Sequence, residues 1–588
     1  MTTTMEPVEI EPQPNLPHHG GGTVPVPAPP PRRQVSNITL PKKKSPVAGA
    51  CSNLVNSIVG AGIIGIPFAL KESGLVAGTI LLILVSYFTD KTLRMLVELA
   101  SFSPRLKDYG VLTFEDLLSL PFGRAGTVFV LTSMFITAYG AMVAYLLIIK
   151  DTLPVIFGLE ETPGAGSFIE RELLMVGTSL AVVVPLSMQR DFSSLAFTSS
   201  ISVTADVFLV VFVAVFAPVA SSVASAGGLG RILQENWING GFFIGFGVLT
   251  IAMTCQHSAF IVAGSLRNLT ASRWARVTCI SLTLSAILCL VLGISGYLGF
   301  LDQTQGDVLN NFAVDTFQAN AARGLLALTM FFTYPMEAFV ARHVLIQLLF
   351  GGDMDGYITL TDPTTGELTT TKSKRCGCLN RRYQVTLIIY ITTLIPALLV
   401  DDLGPVLSIT GAIGGCCLAY IGPGLAYLGV HGHDFLEWVT GSLQSQSRSK
   451  PSSTKTSESD LPLEGDATAN IQTPTNPTYP SELVGPKPWW WWPTLMPLWV
   501  AIATKGATGM NDRLTAFDSE HGPVSAVQEG GNDEASRVED GSIHEAIEPC
   551  KRDYIFSIFF IVFGVVAMVA GILSNVYVQV NNIFYTPT

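Results

Sequence analysis

Two short stretches place polar and helix-breaking residues inside an otherwise apolar chain, where they could hold a small polar solute. The first reads Asn56-Ser-Ile-Val-Gly60-Ala61-Gly62-Ile-Ile-Gly65-Ile-Pro67, and the second Met253-Thr254-Cys255-Gln256-His257-Ser258. Glycine costs about 1 kcal/mol per helical position and proline about 3, so the first stretch predicts a helix that breaks mid-way. Inside a bilayer, broken backbone is tolerated only where it lines a cavity or is buried in protein. Freed N–H groups and the positive end of the second half-helix suit a carboxylate there. Taken alone, the glycines serve close helix packing equally well, and His257 is as well explained by a partner within a bundle. Asp206 and Glu337 lie in other apolar runs, and Glu337 follows Thr333 by four residues, on the same helical face. An intramembrane acid is a candidate proton carrier; its rival role is a hydrogen bond to a neighbouring Ser, Thr or Arg. Arg342 and His343 fall near the cytoplasmic end of the Glu337 run, where long side chains snorkel.

These residues need long apolar elements, and the composition supplies them. Of 588 residues, 48% are apolar and 13% charged, about half the charged share of a soluble domain. So much apolar surface predicts a multi-span membrane protein. About 20 apolar residues span a bilayer core, and eleven such stretches occur. They run roughly over 47–70, 75–99, 126–149, 173–188, 195–220, 241–265, 275–301, 322–350, 383–400, 405–430 and 554–577. With the N-terminus cytoplasmic, the outward loops hold only Lys71, Lys150, Arg171, Arg231 and Arg323 of 34 basic residues. That bias fixes the orientation and leaves the C-terminal end outside or in a lumen.

Four regions follow. Residues 1–46 form a Pro-rich cytoplasmic arm expected to be disordered, and 47–430 a ten-helix core. Residues 431–553 form a polar acidic cytoplasmic insertion, expected to be disordered over 441–553, and 554–588 an eleventh span with a short exoplasmic tail. The net charge of −11 is local: Arg448 to Asp553 holds 16 acids and 9 bases. No basic footprint for nucleic acid remains. The run Trp489–Trp492 reads as a patch at headgroup level, or as a segment docked on the body. Six cysteines lie in apolar runs and Cys376, Cys378 and Cys550 in cytoplasmic loops, so no disulfide framework is expected. The sequons at Asn37 and Asn268 face the cytoplasm in this topology.

The sixth stretch enters the membrane from the side opposite the first. Interrupted helices at equivalent places in oppositely oriented halves mark an inverted-repeat transporter. The stretch NSIVGAGIIGIPFAL resembles the opening helix of the amino acid/auxin permease family. CQHSAFIVAGSL with GYLGFLDQTQGDVLNNF resembles that family's helices six to seven, and TYPMEAFVARHVL its helix eight. The likeness is nearest to the sodium-coupled neutral amino acid transporters of solute carrier family 38 and extends to vacuolar amino acid transporters. It covers about Pro46 to Val430 and the last span, and leaves out the acidic insertion. It implies an all-α, five-plus-five inverted repeat of the amino acid–polyamine–organocation type plus one helix, with helices 1 and 6 discontinuous. It also implies that Asn56 and Thr333 match the sodium ligands of the sodium-coupled branch. Proton-coupled vacuolar members share much of the first motif, so the ion stays open.

The resulting expectation is a cation-coupled neutral amino acid transporter, sodium preferred, without catalytic residues or a cofactor. The substrate would meet Gly60, Ala61 and Gly62, and its side chain Thr254, Cys255, His257 and Ser258. Sodium would sit at Asn56 and Thr333; Glu337 and Asp206 would carry protons in the alternative scheme. The partners expected are the amino acid and the bilayer, with unknown cytoplasmic partners for 431–553. Plasma membrane and vacuolar or lysosomal membrane are both compatible. An amino-acid sensor with a transporter fold is the rival from another class. A membrane enzyme would need convergent His/Asp/Glu clusters in the spans, and a channel a continuous polar stripe; neither is present.

Overall fold

The structure is a computed structural model that describes residues 45–106, 111–159, 168–188, 196–351, 357–361, 368–372, 381–448, 496–521 and 551–585. The glycine-rich first stretch folds as two half-helices, α1 (Val47–Ile58) and α2 (Ile66–Ser73), joined by a 3₁₀ turn over Ala61–Gly65. Then come α3 (Leu75–Phe102), a short α4 (Phe114–Phe122) and α5 (Arg124–Ile156). Helix α6 (Phe168–Thr178) continues through a π turn into α7 (Val184–Ser187). Helix α8 (Ala196–Phe216) bends into α9 (Val219–Ser225), and α10 (Leu229–Glu235) follows. The second polar stretch separates α11 (Phe242–Met253) from α12 (Gln256–Ser265). Helices α13 (Ala271–Phe300) and α14 (Phe317–Phe350) are continuous. A hairpin, β1 (Tyr357–Thr361) on β2 (Leu368–Lys372), precedes α15 (Arg381–Leu399). Helices α16 (Leu403–Thr410) and α17 (Gly422–Val430) flank two π turns, and α18 (Gly432–Arg448), α19 (Met496–His521) and α20 (Lys551–Tyr585) complete the chain.

The apolar part is therefore helical, and the one hairpin among the described residues lies between α14 and α15. Among the described residues, seven helices are long and apolar enough to cross a membrane, or nine if each bent pair counts as one. Large apolar side chains stay exposed along them, including Ile83, Ile287, Ile391, Ile395 and Val566. Such surface needs lipid rather than water. The inner face is one contiguous cluster in which α5 packs along α14, and α11 lies among α2, α3, α16 and α20.

Two features depart from the sequence reading. The described part of the insertion is helical, whereas 441–553 reads as unstructured. Trp499, Ala503 and Met510 form the buried stripe of α19, and Gly506 lies against Gly429 and Gly509 against Pro121, with no room for a Cβ at either. Those 4- and 3-residue spacings were the available signal, diluted by the polar sequence around them. Trp489–Trp492 and the N-terminal arm up to Lys44 lie outside the described residues. Second, Arg342 does not snorkel. It is 1% exposed and donates from Nη1 to the Ser187 carbonyl at 2.8 Å and the Thr386 hydroxyl at 3.0 Å. His343 turns to Glu115 of α4, Nε2 to Oε1 3.6 Å.

Candidate functional site

The first break begins where α1 runs out at Val59. Gly60 adopts φ −115° and ψ −150°; its N–H donates to the Ile58 carbonyl at 3.0 Å and its carbonyl accepts from Ile63 at 3.1 Å. The opening amides of a helical segment have no intrahelical acceptor, so Ala61 and Gly62 offer N–H groups at mid-helix. The second break uses different chemistry. Thr254 is extended (ψ 115°) and its hydroxyl donates to the Thr250 carbonyl at 2.6 Å. Gln256 bridges the gap: its Oε1 accepts from the Cys255 N–H at 3.1 Å, and its Nε2 donates to Thr92 Oγ1 of α3 at 3.2 Å.

The two breaks are tied together. Ser57 Oγ and Ser258 Oγ lie 2.6 Å apart, joining α1 to α12. At the far end of both half-helices, Ser45 N–H donates to the Ser265 carbonyl and Arg267 N–H to the Ser45 carbonyl. Tyr145 of α5 closes one side: its hydroxyl lies 4.0 Å from where a Cβ on Gly60 would stand. Glu337 and Asp206 both lie within electrostatic reach of Tyr145, and His257 within that of Glu337. Asp206 is 2% exposed and its Oδ2 has no hydrogen-bond partner among the described residues. Ser57, Gly60, His257, Ser258 and Glu337 are each half-buried. Polar atoms left partly open between packed helices can face a solute.

The glycines divide into two kinds. A Cβ on Gly62 would stand 2.7 Å from the Ala252 Cα, and one on Gly65 2.7 Å from Leu407 Cδ1. Close packing alone explains these two. Gly60 meets nothing nearer than the Tyr145 hydroxyl, so packing does not explain it. Asn56 is half-buried, with no side-chain hydrogen bond among the described residues. Thr333 Oγ1 donates to the Thr329 carbonyl at 2.7 Å, which leaves its lone pairs for a cation. Pro335 lies inside α14 and has no N–H for the Phe331 carbonyl, so another oxygen is freed beside Thr333. No hydrogen bond joins Asn56 to Thr333 among the described residues. Cys255 is buried. Ser57, Tyr145 and Gln256 were not singled out from sequence. Ser57 and Gln256 sit inside the two motifs, while Tyr145 falls in an apolar run without a marker.

Comparison with known proteins identifies the family. The family model described as transmembrane amino acid transporter protein matches residues 43–445. A rat protein, provisionally named sodium-coupled neutral amino acid transporter 11, is 31% identical over 391 residues, 66% of this chain and 78% of its own. Vacuolar amino acid transporter 2 of Saccharomyces cerevisiae is 30% identical over 310 residues, 52% of this chain and 63% of its own. Human solute carrier family 38 member 10 is 28% identical over 65% of this chain and 32% of its own length. These relatives are transporters, a class without catalytic chemistry, and this chain belongs to the transmembrane amino acid transporter family.

Proposed function

We propose that the protein is a secondary active transporter of neutral amino acids with sodium as the preferred coupling ion. The observation that carries this is the meeting of two broken helices at Ser57 and Ser258, beside Gly60, the glycine of the first break that packing leaves open. In this reading the substrate carboxylate takes the N–H groups around Gly60–Gly62. The side chain is selected between Thr254, Cys255, His257, Ser258 and Tyr145. Sodium uses the Asn56 amide, the Thr333 hydroxyl and the carbonyl freed by Pro335, the oxygen ligands that an alkali cation wants. The eleven apolar stretches form eleven spans, ten as two inverted halves, with the N-terminus cytoplasmic and the C-terminus exoplasmic. No cofactor enters; amino acid, ion and lipid are the only partners the mechanism needs. One charge moved through 100 mV is worth about 2.3 kcal/mol, enough to concentrate a substrate roughly fifty-fold.

A second reading couples transport to protons across a vacuolar or lysosomal membrane. It is favoured by the proximity of Glu337 to His257 and by the buried Asp206. Uptake of labelled amino acid into proteoliposomes, with sodium and pH gradients imposed separately, decides between the two. Accumulation driven by sodium alone supports the first, and indifference to sodium with a response to pH supports the second. Binding without any flux would leave a sensor.

A further inference from the structure

The loop between α13 and α14 lies on the face that the charge bias makes exoplasmic, and it packs directly on the 3₁₀ turn of the broken first helix. Gly306 is held against Gly404 of α16, with no room for a side chain between them. Within this loop Asp307 caps the turn Val308–Asn311, its Oδ1 accepting from the Leu309 N–H at 2.8 Å. Its other oxygen, Oδ2, has no hydrogen-bond partner among the described residues, although the residue is 2% exposed. Asn310 Oδ1 in the same turn is also buried without a donor, while Asn310 Nδ2 donates to Asp151 Oδ2 of α5 at 3.2 Å. Two buried acceptors in one turn, beside a second carboxylate, lack a single hydrogen.

The surrounding cations do not supply it. Lys150 is spent on the Ala397 and Val400 carbonyls and on Asp401. Arg171 pairs with Asp151 Oδ1 at 2.8 Å. Arg323 lies within electrostatic reach of Asp307, but its Nη2 donates to the Leu309 and Phe312 carbonyls and its Nη1 to Asn320. Lys71 donates to the Thr304 carbonyl. Asp402, across the Gly306 contact, accepts from the Gly404 N–H and offers no donor.

We propose that Asp307, with Asp151 and Asn310 beside it, is a proton-binding site that fastens this loop over the break in the first helix. A proton on Asp307 Oδ2 removes the repulsion from Asp151 and provides the missing donor. Its loss leaves a buried anion facing a second one, and the loop is released toward solvent. Burial and the Asp151 charge push the Asp307 carboxyl up to about 7, against an ordinary value of about 4 in an undocked loop. A raised carboxyl favours the docked state at low pH, and that preference fades as pH rises from about 4 to about 7 and is flat above. The docking equilibrium therefore weakens roughly twenty-fold between about pH 5.5 and about pH 7.5. The proposal takes the transporter reading only for its consequence, an outer face that opens and closes with external pH.

Hydrogen exchange of the purified full-length protein tests it without needing transport. Amides of residues 305–312, corrected for intrinsic exchange rate, should lose about twenty-fold in protection between those two pH values. Asp307→Asn, neutral at every pH, should be equally protected at both. Asp151→Asn, which removes the repelling charge, lowers the docked Asp307 value, so the loss between those two pH values should be smaller than in the parent and should end at lower pH. Protection that is flat in the parent protein, or that falls equally in Asp307→Asn, overturns the proposal. If Asp307→Asn does not fold, the parent and Asp151→Asn profiles decide. A pH-dependent loop in a protein that carries no amino acid would leave the site standing and remove the transport reading instead.

Discussion

Gly60 and Gly62 stand two residues apart in one motif, yet the structure requires opposite outcomes from the same substitution. An Ala at 62 would put its Cβ 2.7 Å from the Ala252 Cα and 3.0 Å from its Cβ. Ordinary contacts begin near 3.4 Å, and the obstruction is backbone, which cannot rotate away. Overpacking of that kind costs about 1–3 kcal/mol. An Ala at 60 meets only the Tyr145 hydroxyl at 4.0 Å, and φ −115° is open to any residue. It should fold as well as the parent, while its methyl occupies the space assigned to substrate. If substrate uses that space, the same 1–3 kcal/mol appears in binding, about 5- to 150-fold in apparent KM. Unfolding in mixed micelles with increasing dodecyl sulfate measures the first quantity, and concentration-dependent uptake the second. Gly62→Ala should lose stability; Gly60→Ala should keep its stability and lose affinity. Normal uptake by Gly60→Ala would show that the solute does not approach this glycine. Loss of stability equal to that of Gly62→Ala would show that both serve packing.

Asn56→Ala and Thr333→Ala should each weaken apparent sodium affinity and recover in part at high sodium, with substrate affinity weakening reciprocally at sub-saturating sodium; sodium-titrated uptake reads both. If protons drive transport, those variants show no sodium effect, and Glu337→Gln or Asp206→Asn loses pH-driven accumulation while retaining exchange. Arg342→Met strips the donor from the Ser187 carbonyl and the Thr386 hydroxyl and should cost about 1–3 kcal/mol in the micelle unfolding assay, without altering apparent KM. Tags at Ser457 and Thr588 should be protected from protease on opposite sides of the membrane; protection on the same side would refute the odd number of spans.

The breaks were legible in the sequence because glycine, proline and a run of five polar or small residues leave few alternatives inside an apolar segment. The long apolar helices were equally plain, since a bilayer demands length and hydrophobicity and leaves little else to specify. Tyr145 was not legible. It gains its place only when α5 packs along α14, and nothing local distinguishes it from the other aromatic residues of its run. Arg342 was misread for a related reason. Its distance from the helix end suggested escape to water, but α7 and α15 bring a carbonyl and a hydroxyl to it first. Helix α19 was missed because a stripe of Trp, Ala, Gly and Met carries little hydrophobic contrast, and its fit depends on Gly429 of α17 and Pro121 of α4.

The five bases that the proposed topology places opposite the N-terminus all have something to hold. Lys71, Lys150, Arg171 and Arg323 tie loops and helix ends, and Arg231 pairs with Glu235. Asp302, Asp315 and Asp402 remain exposed on that side. In that topology a solute arriving there meets a face where four of the five bases are tied into the protein and the fifth, Arg231, is exposed but paired, whereas these three carboxylates are open. Under the proposed function, glutamate and aspartate in solution would be repelled before they reach any binding residue, whereas zwitterions would pass without net force and cations would be drawn in. In that reading, discrimination against acidic amino acids would begin in the encounter rate and should relax as added salt shortens the reach of the field.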